Sequence, residues 1–168
     1  RGFEIGLNAI PVSSGDWKWI SQVNFWKNKA EVTKLNVPAF NTGAFGATLG
    51  TYRIQKGKSP TQIVGIPGPG DKVDTESGLG VFGDAEPDFQ MSFTQNLTYK
   101  RFQFTVLMHW KKGGENINLS TLLSDIFGTS PDFDEKSLDP AGTLTNGNYR
   151  LNALGTSAAP WVEDAGYF

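Results

Sequence analysis

The sequence predicts an all-β chain: antiparallel up-and-down strands forming part of a transmembrane β-barrel, with long extracellular loops. Three observations carry this expectation. Four segments alternate apolar and polar side chains with period two. Short and long connections between them alternate strictly. Aromatic residues gather at the segment ends.

In Phe3–Ala9, the residues Phe3, Ile5, Leu7 and Ala9 share one face, and Glu4, Gly6 and Asn8 the other. In Trp17–Phe25, Trp17, Trp19, Val23 and Phe25 share a face opposite Lys18, Gln22 and Asn24, with Ser21 and Ile20 as exceptions. Between Asp88 and Tyr99, the residues Phe89, Met91, Phe93, Leu97 and Tyr99 alternate with Asp88, Gln90, Ser92, Thr94, Asn96 and Thr98, with Gln95 the lone polar residue on the apolar face. Between Phe102 and Lys111, Phe102, Phe104, Val106, Met108 and Trp110 alternate with Gln103, Thr105, Leu107 and His109. Side chains of a strand point to opposite faces in turn, so this pattern writes a strand with one apolar side.

The connections set the pairing. Lys100-Arg101 separates the last two segments and leaves Tyr99 opposite Phe102, both on apolar faces. That parity fits a two-residue hairpin, although Lys-Arg is not the preferred turn chemistry. The first two segments are joined by Pro11 to Asp16, a turn-rich stretch. Lys29 to Pro87 forms a long connection containing Ile66-Pro67-Gly68-Pro69-Gly70, with weak alternation over Thr48 to Gln55. Another long stretch follows Lys111. Within it, Asn118 is placed to cap a short helix over Leu119 to Phe127, ended by Gly128.

Two architectures share such strands. A soluble antiparallel sandwich, for example a carbohydrate-binding module, turns the apolar face to its core. A membrane barrel turns it to lipid and the polar face to a wet lumen. The strict alternation of short and long connections favours the barrel. So do strands of about ten residues, long enough to cross a bilayer when tilted. The aromatics add to this: Trp17, Trp19, Tyr99 and Phe102 fall at one boundary, Phe89 and Trp110 at the other. Four strands do not close a barrel, and an open sheet in lipid leaves unpaired backbone groups. The 168 residues are therefore expected to be a partial C-terminal barrel segment.

Composition narrows the function. The chain has 15 Lys and Arg against 17 Asp and Glu, without the basic stripe of a nucleic-acid binder. It has no Cys and one His, which excludes disulfide scaffolds, thiolate metal sites and cysteine nucleophiles. Gly57-Lys58-Ser59 lacks the upstream glycine of a phosphate-binding loop, and Pro60 opposes the helix that must follow one. Asp132, Asp134, Glu135 and Asp139 lack EF-hand spacing and read as a solvated acidic loop. His109 has no Ser or Asp arranged around it for nucleophilic catalysis. No enzyme activity, metal or cofactor is expected. The polar face supplies the candidate ligand or lumen-facing residues: Gln22, Asn24, Gln90, Thr94, Gln103, Thr105 and His109.

The motifs resemble those of SusC/RagA-type TonB-dependent outer-membrane transporters. Gly83-Asp84-Ala85-Glu86-Pro87-Asp88-Phe89 followed by Thr98-Tyr99-Lys100-Arg101-Phe102 is similar to the "GD-x-x-PDF … TYK-x-F" segment of that family. Trp161-Val162-Glu163-Asp164-Ala165-Gly166-Tyr167 resembles its "WVEDGSY", with Ala165 and Gly166 departing from it. Weaker matches are Gly2-Phe3-Glu4 with Leu7-Asn8, Trp19 to Phe25 with Asn28, Tyr52-Arg53 with Gly57-Lys58, and Gly113-Gly114-Glu115-Asn116. The resemblance implies a barrel of about 22 strands around a plug. In it, plug, TonB box and last strands lie outside residues 1–168. It also implies an outer-membrane location, energy from TonB, a SusD-like lipoprotein partner, and import of oligosaccharides or peptides.

Overall fold

The computed structural model describes residues 1–43 and 46–168. In chain order the elements are β1 (Gly2–Ser14), β2 (Trp17–Asn28), β3 (Phe40–Thr42), the one-turn helix α1 (Gly46–Leu49), β4 (Thr51–Ile54), β5 (Gln62–Gly65), β6 (Gly80–Asp84), β7 (Phe89–Tyr99), β8 (Phe102–Lys112), β9 (Glu115–Ile117), α2 (Leu119–Ile126), α3 (Asn146–Ala153) and β10 (Val162–Asp164). Antiparallel sheets dominate and helices are few and short. The chain divides into two units, one of residues 1–30, 86–114 and 165–168, the other of residues 31–85 and 115–164.

The first unit is the four-stranded antiparallel sheet β1-β2-β7-β8, neighbours in space following chain order. Register keeps parity across it. Ile5, Phe25, Met91 and Trp110 form one cross-strand row, and Leu7, Val23, Phe93 and Met108 the next. One side of the sheet is therefore apolar across all four strands in these rows; on the same side Ser21 pairs with Gln95, whose Oε1 accepts from Trp19 Nε1 at 2.9 Å. The expected hairpin is present: Tyr99 pairs with Phe102 across Lys100-Arg101. Lys100 adopts φ 53°, which L-residues tolerate poorly, so the turn has the φ signs of a type II′ turn. Gly15 takes the equivalent place between β1 and β2, at φ 55°. The two turns touch: the Lys100 N–H donates to the Asp16 carbonyl at 3.0 Å.

The Pro11–Asp16 connection is shorter than expected. β1 runs on to Ser14 and pairs it with Trp17, leaving only Gly15 and Asp16 in the turn. The register shifts between Ala9 and Val12, so Ile10 and Pro11 form a bulge. A strand tolerates proline where no ladder hydrogen bond is required, and a bulge on an outer strand is such a place.

No residue of these four strands is buried. Phe102 is 71% exposed, Phe104 64% and Ile5 60%. Aromatic contacts cross the apolar side near the long connections: Phe3 stacks on Phe25, Phe25 on Phe89, Phe89 meets Trp110 edge-on, and Trp110 meets Phe168. Near the two short turns Trp17 stacks on Tyr99 with ring centroids 4.3 Å apart. Beyond β8, Tyr167 bridges Lys111 antiparallel and continues the sheet.

The second unit contains all the buried hydrophobic side chains of the described residues. It combines the antiparallel sheet β3-β4-β5-β6, the pair β9-β10, and the helices. Leu49, Leu122 and Trp161 pack together with Ile117, Leu119 and Leu151 around them. Ile63 and Val64 of β5 are fully buried. The predicted helix is α2. Asn118 Oδ1 accepts from the Thr121 N–H at 3.0 Å, and Gly128 closes the C-terminus at φ 64°. The alternation over Thr48–Gln55 yields a strand only at Thr51–Ile54.

A buried ion pair joins α2 to α3. Arg150 donates from Nε and Nη2 to both oxygens of Asp125, at 2.6 and 2.7 Å, and from Nη1 to Asp132 at 2.9 Å. The Asp125 side chain is wholly buried. Hydrogen bonds to Asp125 and Asp132 raise the Arg150 pKa, and the one from Arg150 lowers that of Asp132. Asp139 accepts from the Leu144 N–H, the Thr143 hydroxyl and N–H and the Ala141 N–H, which lowers its pKa to about 2. The acidic loop thus uses Asp132 and Asp139 to organise its own backbone and helices.

Two outcomes are expected. Lys100→Gly removes the side-chain clash at positive φ and raises stability by about 1 kcal/mol in thermal unfolding of the full-length protein. Arg150→Ala leaves Asp125 buried without its counter-ion. Local opening of α2 and α3, read by amide hydrogen exchange, becomes easier by about 3–5 kcal/mol.

Candidate functional site

The other side of the four-stranded sheet is the candidate site. Its residues come from alternate positions, and register aligns them in rows. Glu4, Trp26, Gln90 and Lys111 form the row nearest the long connections. Gly6, Asn24, Ser92 and His109 form the next, then Asn8, Gln22, Thr94 and Leu107. Asn96 pairs with Thr105 and Thr98 with Gln103 toward the short turns. Gln22, Asn24, Gln90, Thr94, Gln103, Thr105 and His109 therefore all lie on one face. Leu107 and Ile20 interrupt its polarity.

Neighbouring polar groups are partly engaged with one another. Asn24 Nδ2 donates to Ser92 Oγ at 3.2 Å. The Thr105 hydroxyl donates to Asn96 Oδ1 at 2.8 Å. His109 Nδ1 and the Tyr167 hydroxyl lie 2.9 Å apart. When tyrosine donates in that bond, the imidazole proton sits on Nε2. That atom is buried and has no hydrogen-bond partner among the described residues.

Sequence reasoning placed Glu4 on this face without counting it among the candidates, and it missed Trp26 and Tyr167. Trp26 is the informative omission. It directly follows Phe25, so its indole lies on the polar side, where the alternation calls for a polar residue. A breach of parity by an aromatic is a signal in its own right. Trp26 stacks on His109 with centroids 5.5 Å apart and 21° between the planes. Tyr167 meets the other side of the cluster edge-on, 5.3 Å from His109. On the β1 side of Trp26, where Gly6 has no side chain, a hollow of about 530 Å³ opens among Glu4, Asn24, Trp26 and Ser92.

This arrangement offers a flat aromatic surface, amides, hydroxyls and a carboxylate. Among the described residues, no three His, Cys, Asp or Glu side chains come together as a metal-binding group. The Gly57-Lys58-Ser59 segment is a tight turn, with the Lys58 N–H donating to the Gln55 carbonyl at 3.3 Å.

Comparison with known proteins gives a distant relative. The chain is 26% identical over 156 residues to TonB-dependent receptor P3 of Formosa agariphila, a match covering 73% of this chain. The chain spans only 16% of that receptor's length. No family model matches. The similarity supports, at most, a segment related to TonB-dependent receptors.

Proposed function

We propose that these residues form part of the wall and surface loops of an outer-membrane, TonB-dependent importer of the SusC/RagA type. The four-stranded sheet is a piece of its transmembrane β-barrel. Its apolar side touches lipid and its polar side a hydrated lumen. The cargo is a bulky polar nutrient, an oligosaccharide or a peptide. This segment does no covalent chemistry and needs no cofactor. Its partners are the remaining barrel and plug, TonB, a SusD-like lipoprotein and the cargo; nucleic acid is not among them.

One observation supports this reading above the others: an apolar side spanning four strands on which nothing is buried. Burying one large apolar side chain is worth about 1.5–3 kcal/mol. On the order of ten of them left in water forgo roughly 20 kcal/mol, more than the roughly 5–15 kcal/mol that stabilises a whole domain. Hydrocarbon removes that penalty. A soluble sandwich needs a second layer over the same face.

Length and aromatic placement agree. β7 runs 11 residues from Phe89 to Tyr99. At ~3.3 Å per residue and a tilt of about 40°, it rises roughly 25 Å, the height of the apolar band of an outer-membrane barrel. Rings occupy both ends of that rise. Lys27 and Lys112 lie on the same side at the end carrying the Phe89 row, where long stems let ammonium groups reach headgroups.

The full-length protein is expected in the outer-membrane fraction and extractable only with detergent. Phe93→Arg, at the middle of β7, places a cation against the centre of the lipid and costs about 2–4 kcal/mol of barrel stability, whereas Thr94→Arg, facing the lumen, costs far less. Recovery of the native protein in buffer without detergent contradicts the proposal.

A further inference from the structure

We propose that the lumen side carries a stacking subsite for one pyranose ring of a neutral oligosaccharide, with Trp26 as its platform. This rests on that side facing the lumen, and it selects saccharide over peptide as cargo.

Trp26 is the first argument. A lumen wall has no need of an indole among amides and hydroxyls, and exposing one to water is unfavourable. Its ring is also held in place. His109 stacks against it from the β8 side, and Tyr167 holds His109 through the 2.9 Å contact at Nδ1. The Trp26 face toward β1 is not occupied in this way. It borders the hollow of about 530 Å³ over Gly6, a volume typical of small-ligand sites. A Cβ at Gly6 would project into this space and lie 3.3 Å from Asn24 Oδ1.

The groups around the hollow are the second argument. A pyranose ring presents an apolar C–H face and a rim of hydroxyls. The first requires a flat apolar surface and the second requires directional acceptors and donors. Glu4 is the cross-strand neighbour of Trp26, and its exposed carboxylate makes no hydrogen bond or ion pair among the described residues. A carboxylate accepts two hydrogen bonds side by side, which matches adjacent hydroxyls. Asn24 spends Nδ2 on Ser92 and keeps Oδ1 as an acceptor toward the same space. Among the described residues lining the hollow Glu4 alone is charged, so an anionic saccharide is disfavoured there and a neutral one is not. A peptide is less well served. Its backbone pairs best with free strand groups, and in the interior of this sheet the backbone groups are already used by the ladder.

The test uses the full-length protein in a detergent without a sugar headgroup. Neutral α- and β-linked hexose oligomers and a library of short peptides are presented on arrays. The wild type is expected to retain at least one hexose oligomer series. Trp26→Ala weakens that binding at least tenfold, Trp26→Phe by less than threefold, and Glu4→Gln falls between. Because Trp26 faces away from lipid, all three variants reach the outer membrane in wild-type yield. Retention of peptides alone, retention of neither probe, or equal hexose binding by wild type and Trp26→Ala overturns the subsite. Each of those results can occur with the protein correctly inserted. A protein that needs no membrane at all defeats the importer reading instead.

Discussion

Everything in the first unit depends on side-chain parity being conserved from strand to strand. A strand carries two faces, and a shift of one residue between neighbours exchanges them. In β1, β2, β7 and β8 the register brings apolar opposite apolar from Ile5–Phe25–Met91–Trp110 to Tyr99–Phe102, interrupted in one row where Ser21 pairs with Gln95. The two-residue turns enforce this. With Tyr99 and Phe102 paired directly, no slip is available without flipping a whole strand. The bulge at Ile10 and Pro11 shows the same rule from the other direction. An extra residue is absorbed locally, so that Val12 returns to the side that Ala9 occupied.

The second unit is built by different means. Its strands are three to five residues long and do not sustain a two-sided pattern. Cohesion comes instead from a small aromatic-centred core and from side chains that reach across the chain. Trp161 is fully buried against Leu49 and Leu122. Arg150 gathers Asp125 and Asp132 from different turns of the chain. Asn146, almost fully buried, donates to Asp132 and Ser137 and accepts from the Leu138 N–H. Long connections with such internal order are structures in their own right rather than slack between strands.

These differences explain what the sequence made legible. Long alternating strands carry their own evidence, so all four were readable, as was the Tyr99–Phe102 turn. Helix α2 was readable because Asn118 and Gly128 punctuate it. Helix α3 was not. Asn146-Gly147-Asn148-Tyr149 has little helical propensity, and Gly147 is there for another reason: a Cβ would sit 2.0 Å from the Phe133 ring. Pro11 was misleading because proline ordinarily marks a turn, and only the bulge makes it acceptable inside β1. The Arg150–Asp125 pair joins residues 25 positions apart, and no local pattern announces it. On the candidate face, the polar residues were legible by parity alone. Trp26 was not, because it breaks the rule that revealed the others.

The account stands on one side of the sheet meeting lipid and the other meeting water. Residues 1–168 contain no cysteine; in the full-length protein, with any cysteine outside them replaced by serine, single cysteines are introduced one at a time from Met91 to Thr98 within outer membranes. Labelling with a membrane-impermeant thiol reagent is then measured at each position. A period-two profile is predicted, with Ser92, Thr94, Asn96 and Thr98 reactive and Met91, Phe93, Gln95 and Leu97 protected yet accessible to lipid-dissolved quenchers. Uniform labelling, or protection of Phe93 and Leu97 from lipid-dissolved quenchers as well, contradicts the account.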